Sequence, residues 1–126
     1  MVAQAGPAEV LLLFAGDSLA VQAAAWVRGH PRIGLRLLFP SSVSVVDSAV
    51  RGAALALIDA TEDKDRAIAL LDQAIARIGP RRVAIYTERM HRGLEPRVRS
   101  RGSLVMLGPL SQAEWSALLA HATLPA

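Results

Sequence analysis

The stretch Ala53-Ala54-Leu55-Ala56-Leu57-Ile58-Asp59 decides the fold of this chain. Six consecutive apolar residues are typical of a strand that is buried on both faces, and such strands occur in parallel sheets covered by helices. The run ends on the carboxylate of Asp59. Because parallel α/β sheets place their chemistry at the carboxyl ends of the strands, Asp59 is the first candidate for a functional residue.

Four further apolar runs, at 9–15, 34–39, 82–86 and 104–107, alternate with segments of helical character. Together with the run at 53–58 they predict five strands in the order βαβαβαβαβα, joined by right-handed crossovers. The predicted fold class is α/β. It consists of a five-stranded parallel sheet with helices on both faces, which is a three-layer sandwich.

The ends of three helices can be read from the sequence. Asp17 or Ser18 can cap a first helix that runs to about Arg28. The third helix carries apolar residues at three- and four-residue spacing and ends before Gly79, and the last helix opens with the capping box at 111–114.

The second and fourth helices are predicted on weaker patterns. Segment 42–51 has valines at helical spacing, although β-branched side chains lower the helix propensity. Segment 90–100 contains Pro96, which allows only a short or kinked helix.

Composition places the chain among small soluble proteins. Its 126 residues are 52% hydrophobic with a net charge of +3, and we expect a single domain over 1–126, with 1–8 flexible. No apolar run approaches the length of a membrane span. Residues 1–8 lack a basic start followed by a long apolar core, so we expect a cytoplasmic protein without a secretory signal. The chain has no cysteine, which excludes thiol and disulfide chemistry.

Positive charge is concentrated in segment 77–101, where eight arginines face only Glu88 and Glu95. Such a patch can meet an acidic protein partner, or it can be an ordinary solvated surface. Nucleic acid is a poor candidate because no aromatic residues interleave with the arginines to stack on bases. The eight are Arg77, Arg81, Arg82, Arg89, Arg92, Arg97, Arg99 and Arg101.

A competing enzyme motif follows the first predicted strand. Gly16-Asp17-Ser18-Leu19 resembles the opening block of the GDSL hydrolases, in which the serine is the nucleophile. That chemistry needs a histidine to take the serine proton and donors that hold the oxyanion. The family supplies them from an asparagine and a late Asp-x-x-His, whereas this chain has no asparagine, and Leu118 precedes His121 by three residues.

Over essentially its whole length the sequence resembles a response-regulator receiver domain, a flavodoxin-like fold. Asp59 falls where that family has its phosphoacceptor, at the end of the third strand. Thr87 ends the fourth strand, matching the hydroxyl residue that receivers use to contact the phosphoryl group. Pro109 follows the fifth strand, where the family usually shows Lys-Pro-Phe.

The departures from the receiver pattern concern charge. Receivers hold Mg²⁺ with an acidic pair after the first strand, and these positions are Ala15 and Gly16 here, with Asp17 one step further on. The lysine that pairs with the phosphorylated site is replaced by Gly108. The chain's only lysine, Lys64, lies in a different element.

These replacements predict a degenerate pseudo-receiver. Phosphoryl transfer depends on a metal ion that neutralises developing charge, and Mg²⁺ prefers near-octahedral oxygen ligands. Asp59 with Asp17 as a second ligand would make a poor site, so we expect no metal, no cofactor and no catalytic residue. The resemblance implies a non-enzymatic signalling domain that docks or dimerises, independently of phosphorylation.

A hydrolase of the GDSL type with Ser18 as its nucleophile stays open from the sequence, and so do two alternatives for Asp59. Asp59 can accept phosphate inefficiently with Asp17 as a metal ligand, or it can simply cap the next turn through Thr61 and its neighbours. Receivers commonly use the surface of the fourth helix, fifth strand and fifth helix for contacts. By that resemblance the candidate interaction face contains Arg92, Arg97, Arg99 and Arg101, together with the exposed side of the helix that starts at Ser111.

Overall fold

A computed structural model of the chain describes residues 8–40 and 43–124, in which strands and helices alternate in the predicted order. The strands are β1 (Ala8–Leu13), β2 (Ile33–Leu38), β3 (Leu55–Asp59), β4 (Val83–Thr87) and β5 (Leu104–Leu107). The helices are α1 (Asp17–Arg28), α2 (Val43–Ala49), α3 (Lys64–Ile78), α4 (Leu94–Arg99) and α5 (Gln112–Ala122), with a 3-10 turn at Pro80–Arg82.

All strand pairs in the sheet are parallel, and the strand order is β2-β1-β3-β4-β5. This is the flavodoxin-like order, in which the direction of winding reverses between β1 and β3. Every residue of β3 and of β4 is buried, as their continuous apolar sequences predict, whereas the edge strand β2 alternates between partly buried and exposed positions. The predicted α/β fold with a parallel sheet is confirmed.

Each face of the sheet has its own hydrophobic core, which gives the predicted three layers. One core lies under α2, α3 and α4, and the other lies under α1 and α5. In the second core Trp26 of α1 stacks on Trp115 of α5 with ring centroids 5.2 Å apart. Both tryptophans are buried, so their stacking packs α1 against α5.

Some element ends differ from the sequence-based expectations. The N-cap of α1 is Gly16, without a side-chain hydrogen bond, so the expected cap at Asp17 or Ser18 is wrong. Of the segment 1–8 that was expected to be flexible, 1–7 lie outside the described residues and Ala8 begins β1. Position 42, where the second helix was expected to start, also lies outside them.

The fourth helix is short, as Pro96 predicted. α4 has six residues and begins after Gly93, which adopts a left-handed conformation with φ of 78°. Pro96 occupies the first turn, where the backbone N–H groups have no intrahelical acceptor, so the missing donor costs no hydrogen bond. Within 8–40 and 43–124 no helix is long and apolar enough to cross a membrane.

Candidate functional site

Asp59 lies at the carboxyl end of β3, at the point where the winding of the sheet reverses. The residue is 6% exposed, and both oxygens of its carboxylate accept backbone N–H groups. Oδ2 accepts from Gly16 at 2.9 Å, and Oδ1 accepts from Thr61 at 2.9 Å. The bond to Thr61 is the one expected if Asp59 caps the following turn. The bond to Gly16 joins the β1–α1 loop to β3.

A pocket of about 190 Å³ opens beside Asp59. Asp17 lies in it, so the structure brings together the two carboxylates that the sequence proposed as metal ligands. Within the described part of the chain no three His, Asp or Glu residues gather in a geometry that could hold a metal ion. The pocket is lined by Phe14, Gly16, Asp17, Ser18, Asp59, Thr61, Glu62, Arg66 and Glu88.

At the two positions where receivers have their acidic pair, this chain has no side chain that could bind a metal ion. Ala15 is buried against the core under α1, and Gly16 is the exposed N-cap of α1. A Cβ added to Gly16 would lie 3.5 Å from Asp59 Oδ2, in ordinary contact. Gly16 therefore contacts Asp59 through its backbone N–H alone, and the space beside it would accept a Cβ without a clash.

Thr87 ends β4, as predicted, but its hydroxyl is engaged locally. Thr87 Oγ1 donates to the carbonyl oxygen of Arg89 at 2.6 Å. The residue is fully buried and is absent from the pocket lining. Thr87 therefore does not line the pocket that Asp59 and Asp17 share.

Gly108 lies directly under the ring of Tyr86. A Cβ built on Gly108 would overlap Tyr86 at Oη, Cζ and Cε2. The β4–β5 register pairs Tyr86 with Met106, so residue 108 follows on the same side of the sheet two positions later. The ring therefore occupies the space that any side chain at position 108, including the lysine of receivers, would need.

Tyr86 was not identified from the sequence as a site residue. Its hydroxyl donates to Glu88 Oε2 at 2.8 Å and accepts from Gln22 Nε2 at 2.8 Å, and Gln22 Oε1 accepts from the N–H of Leu110 at 2.7 Å. Burial, opposed in part by the bond from Gln22, raises the pKa of Tyr86 to about 12. One signal for it was present in the sequence: the chain's single tyrosine lies in the predicted fourth strand, and a glycine stands at position 108, where receivers have a lysine.

Thr61 connects the β3–α3 loop to the β4–α4 loop. Its hydroxyl accepts the N–H of Glu88 at 3.0 Å, and its carbonyl oxygen accepts from Arg89 Nε at 3.2 Å and contacts His91 Nε2 at 3.1 Å. Lys64, the only lysine, donates to the carbonyl oxygen of Arg92 at 3.2 Å across the same two loops. Direct contacts thus hold together the two loops beside Asp59.

Phe14 carries backbone strain next to the site. It has φ of 55°, in the left-handed region that costs a non-glycine residue roughly 1–2 kcal/mol. The guanidinium of Arg66 lies 3.6 Å from the centroid of its ring, and the Phe39 ring packs edge-on at 6.1 Å. These contacts hold the strained residue, which sequence reasoning did not detect.

Ser18 also lines the pocket, but its hydroxyl accepts a hydrogen bond from Gln22 Nε2 at 3.0 Å. His30 Nδ1 contacts the carbonyl oxygen of Trp26, and His91 contacts that of Thr61. His121 lies in the last turn of α5. Among the described residues no histidine contacts Ser18. The base that a GDSL mechanism needs is therefore not placed beside this serine.

The four arginines of the candidate interaction face lie in and around α4. Arg92 is exposed in the loop before the helix. The other three each pair with a carboxylate of this chain, and two of these carboxylates belong to α3. The pairs are Arg97 with Asp65 at 3.2 Å, Arg99 with Glu95 at 2.7 Å and Arg101 with Asp72 at 2.5 Å.

Comparison with known proteins finds similarity at the level of structure. The chain matches no protein-family model, and no curated protein matches it. The CheY-like protein TadZ from Pseudomonas aeruginosa matches with a TM-score of 0.72 at 11% identity, over 94% of this chain and 97% of that one. The pilus assembly protein CpaE from Caulobacter crescentus matches with a TM-score of 0.61 at 13% identity, over 90% and 92%.

A response regulator in red light signalling from R. palustris matches with a TM-score of 0.55 at 16% identity, over 90% of each chain. At such low identities the likeness is one of fold. The fold of this chain is therefore that of the CheY-like receiver domains, as the resemblance in sequence predicted.

Proposed function

We propose that this chain is a pseudo-receiver: a receiver-fold domain that regulates other proteins through direct contacts and takes no part in phosphoryl transfer. The observation that carries the proposal is the Tyr86 ring over Gly108. Receivers use a lysine at this position to pair with the phosphoryl group. Since Tyr86 fills the space that a side chain at position 108 would need, the packing of the core excludes a lysine there.

The surroundings of Asp59 support the same proposal. Both carboxylate oxygens already accept backbone N–H groups, and Ala15 and Gly16 provide no ligand for Mg²⁺. An acyl phosphate at Asp59 would lack both the metal ion and the ammonium group that neutralise it. Thr87 is engaged with Arg89 and would have to rotate to reach a phosphoryl group.

A second candidate function is a weakly phosphorylatable receiver. One observation favours it, because Asp17 and Asp59 line the same pocket. In that case Asp59 would accept a phosphoryl group slowly, with Asp17 as a metal ligand.

Incubation with acetyl phosphate and Mg²⁺, followed by intact-mass measurement, separates the two candidates. The proposal predicts no gain of a phosphoryl group in the wild-type chain. Asp59→Asn is the control because it cannot accept a phosphoryl group, although its amide nitrogen must then face one of the two backbone N–H groups that the carboxylate accepts. A mass gain in the wild type that Asp59→Asn abolishes would establish the weakly phosphorylatable receiver instead.

We propose that the face formed by Arg92, Arg97, Arg99, Arg101 and the exposed side of α5 contacts a protein partner. Exposed ion pairs contribute only about 0–1 kcal/mol, so carboxylates of an acidic partner can compete for these arginines. Affinity capture from the source cell with wild type and with an Arg97→Glu/Arg99→Glu variant tests the face. If the folded variant captured the same proteins as the wild type, this face would be excluded as the contact surface.

A second copy of the chain is the alternative partner, and measurement of the molar mass in solution distinguishes it. Three of the similar structures, including that of CpaE, carry names of pilus assembly or pilus assembly-related proteins. Pilus assembly is therefore the process in which we would first look for the partner.

A further inference from the structure

The end of the sheet opposite Asp59 is basic. The described loops at this end are 28–32, 50–54, 79–82 and 100–103. The start of β1 (8–9) and the end of α5 with the residues after it (121–124) also lie there. The only carboxylate in these described segments is Glu9, which pairs with Arg36 at 2.8 Å. We call this the basic end. Its arginines are Arg28, Arg32, Arg51, Arg81, Arg82 and Arg101, of which Arg101 also belongs to the candidate interaction face and pairs with Asp72.

Three arginines of the basic end have no salt bridge with a carboxylate of the described residues. Arg28, Arg51 and Arg82 are exposed, and no carboxylate of the described residues lies within ion-pair distance of them. Helix carboxyl ends, which carry partial negative charge, meet at this end and stabilise cations there. That partial charge offsets only part of the arginine charge, so an anionic group that approaches the basic end is attracted.

A pocket of about 540 Å³ lies within the basic end. It is bounded by the 3-10 turn Pro80–Arg82 on one side and by the end of α5 on the other. Ile78, Pro80 and Ala122 give it an apolar lining, and Leu124 is exposed at 53% on its wall. Arg81 and Arg82 also line it, so apolar and cationic groups face the same space.

We propose that the basic end docks an acidic segment of a partner protein, with one apolar side chain of that segment in the pocket and carboxylates beside Arg82. The proposal deepens the proposed function, because it specifies a second contact surface and the chemistry of its partner. A concave pocket favours a single inserted side chain over a flat bilayer. No aromatic residue lines the pocket to stack on a nucleic-acid base.

Amide chemical shifts during peptide titration test this surface. The probe is a short glutamate-rich peptide with one central leucine, and the matched peptides carry serine in place of the leucine or lysine in place of the glutamates. We expect shifts at Gly79, Arg82, Thr123 and Leu124 with the leucine peptide, clearly weaker shifts with the serine peptide and none with the lysine peptide. Arg82→Glu should weaken binding roughly tenfold.

Arg92→Glu, which makes the same charge change at the other end of the sheet, should leave the affinity for the leucine peptide unchanged. Equal binding by wild type and Arg82→Glu, or shifts confined to other residues, would overturn the proposal. So would binding to phosphatidylserine vesicles or a DNA duplex without binding to the peptide. Because none of these readouts involves Asp59, a failure here leaves the pseudo-receiver proposal standing, and phosphorylation of Asp59 would leave this surface standing.

Discussion

At the scale of single residues, Tyr86 and Gly108 form one packing unit. We predict that Gly108→Ala lowers the free energy of unfolding by about 1–3 kcal/mol, because the new methyl group must displace the buried Tyr86 ring. Gly29→Ala is the matched control, since the nearest atom to its Cβ would be the Trp26 carbonyl oxygen at 3.8 Å. Urea denaturation of both variants measures the difference.

The same pair should show strong coupling. In a Tyr86→Ala background the ring is gone, and the cost of Gly108→Ala should largely disappear. A double-mutant cycle in urea gives the coupling energy directly. If the cost of Gly108→Ala were unchanged in that background, the ring would not be what excludes a side chain at position 108.

Tyr86 is also the only tyrosine of the chain, so its ionisation can be followed directly. Its pKa in the folded protein is raised from 10.0 to about 12 by burial. The unfolded chain therefore loses the phenolic proton first as the pH rises, and stability should fall between about pH 10 and about pH 12. Tyrosinate absorbance should show a midpoint near 12 in the folded chain and near 10 in urea; a folded midpoint near 10 would contradict the buried network.

At the scale of elements, α5 depends on its capping box. Ser111 Oγ accepts the N–H of Glu114 at 3.1 Å, and the Glu114 carboxylate accepts the N–H of Ser111 at 3.0 Å. Ser111→Ala should cost about 1 kcal/mol of unfolding free energy. Ser48→Ala, at an exposed helical serine without a cap role, should change it by less than about 0.5 kcal/mol. Thermal unfolding compares the two, and equal effects would show that the box contributes nothing.

Elements were predictable from the sequence wherever one local pattern dominated. The continuous apolar runs located all five strands, and Ser111 marked the start of α5 because a capping box is a local motif. The start of α1 was missed because Gly16 caps without a side chain, which leaves no trace beyond the glycine itself.

At the scale of the whole molecule, the site could be predicted only in part. Asp59 and Asp17 line one pocket because Asp59 ends β3 and Asp17 follows β1, and these neighbouring parallel strands end at the same edge of the sheet. The roles of Tyr86 and Thr61 could not be predicted, because they depend on contacts between residues more than twenty positions apart. A sequence pattern reveals that a lysine is missing, but the residue that fills its space becomes visible only in three dimensions.

The central claim concerns the pocket beside Asp59, and ligand titration followed by amide chemical shifts tests it most directly. Mg²⁺ is added to millimolar concentration, followed by beryllofluoride, which mimics a phosphoryl group on aspartate. The pseudo-receiver account predicts that the amides of Asp59, Thr61 and Thr87 do not shift in a saturable way, and that wild type and Asp59→Asn respond alike. Saturable shifts at these amides that require both ligands and vanish in Asp59→Asn would contradict it.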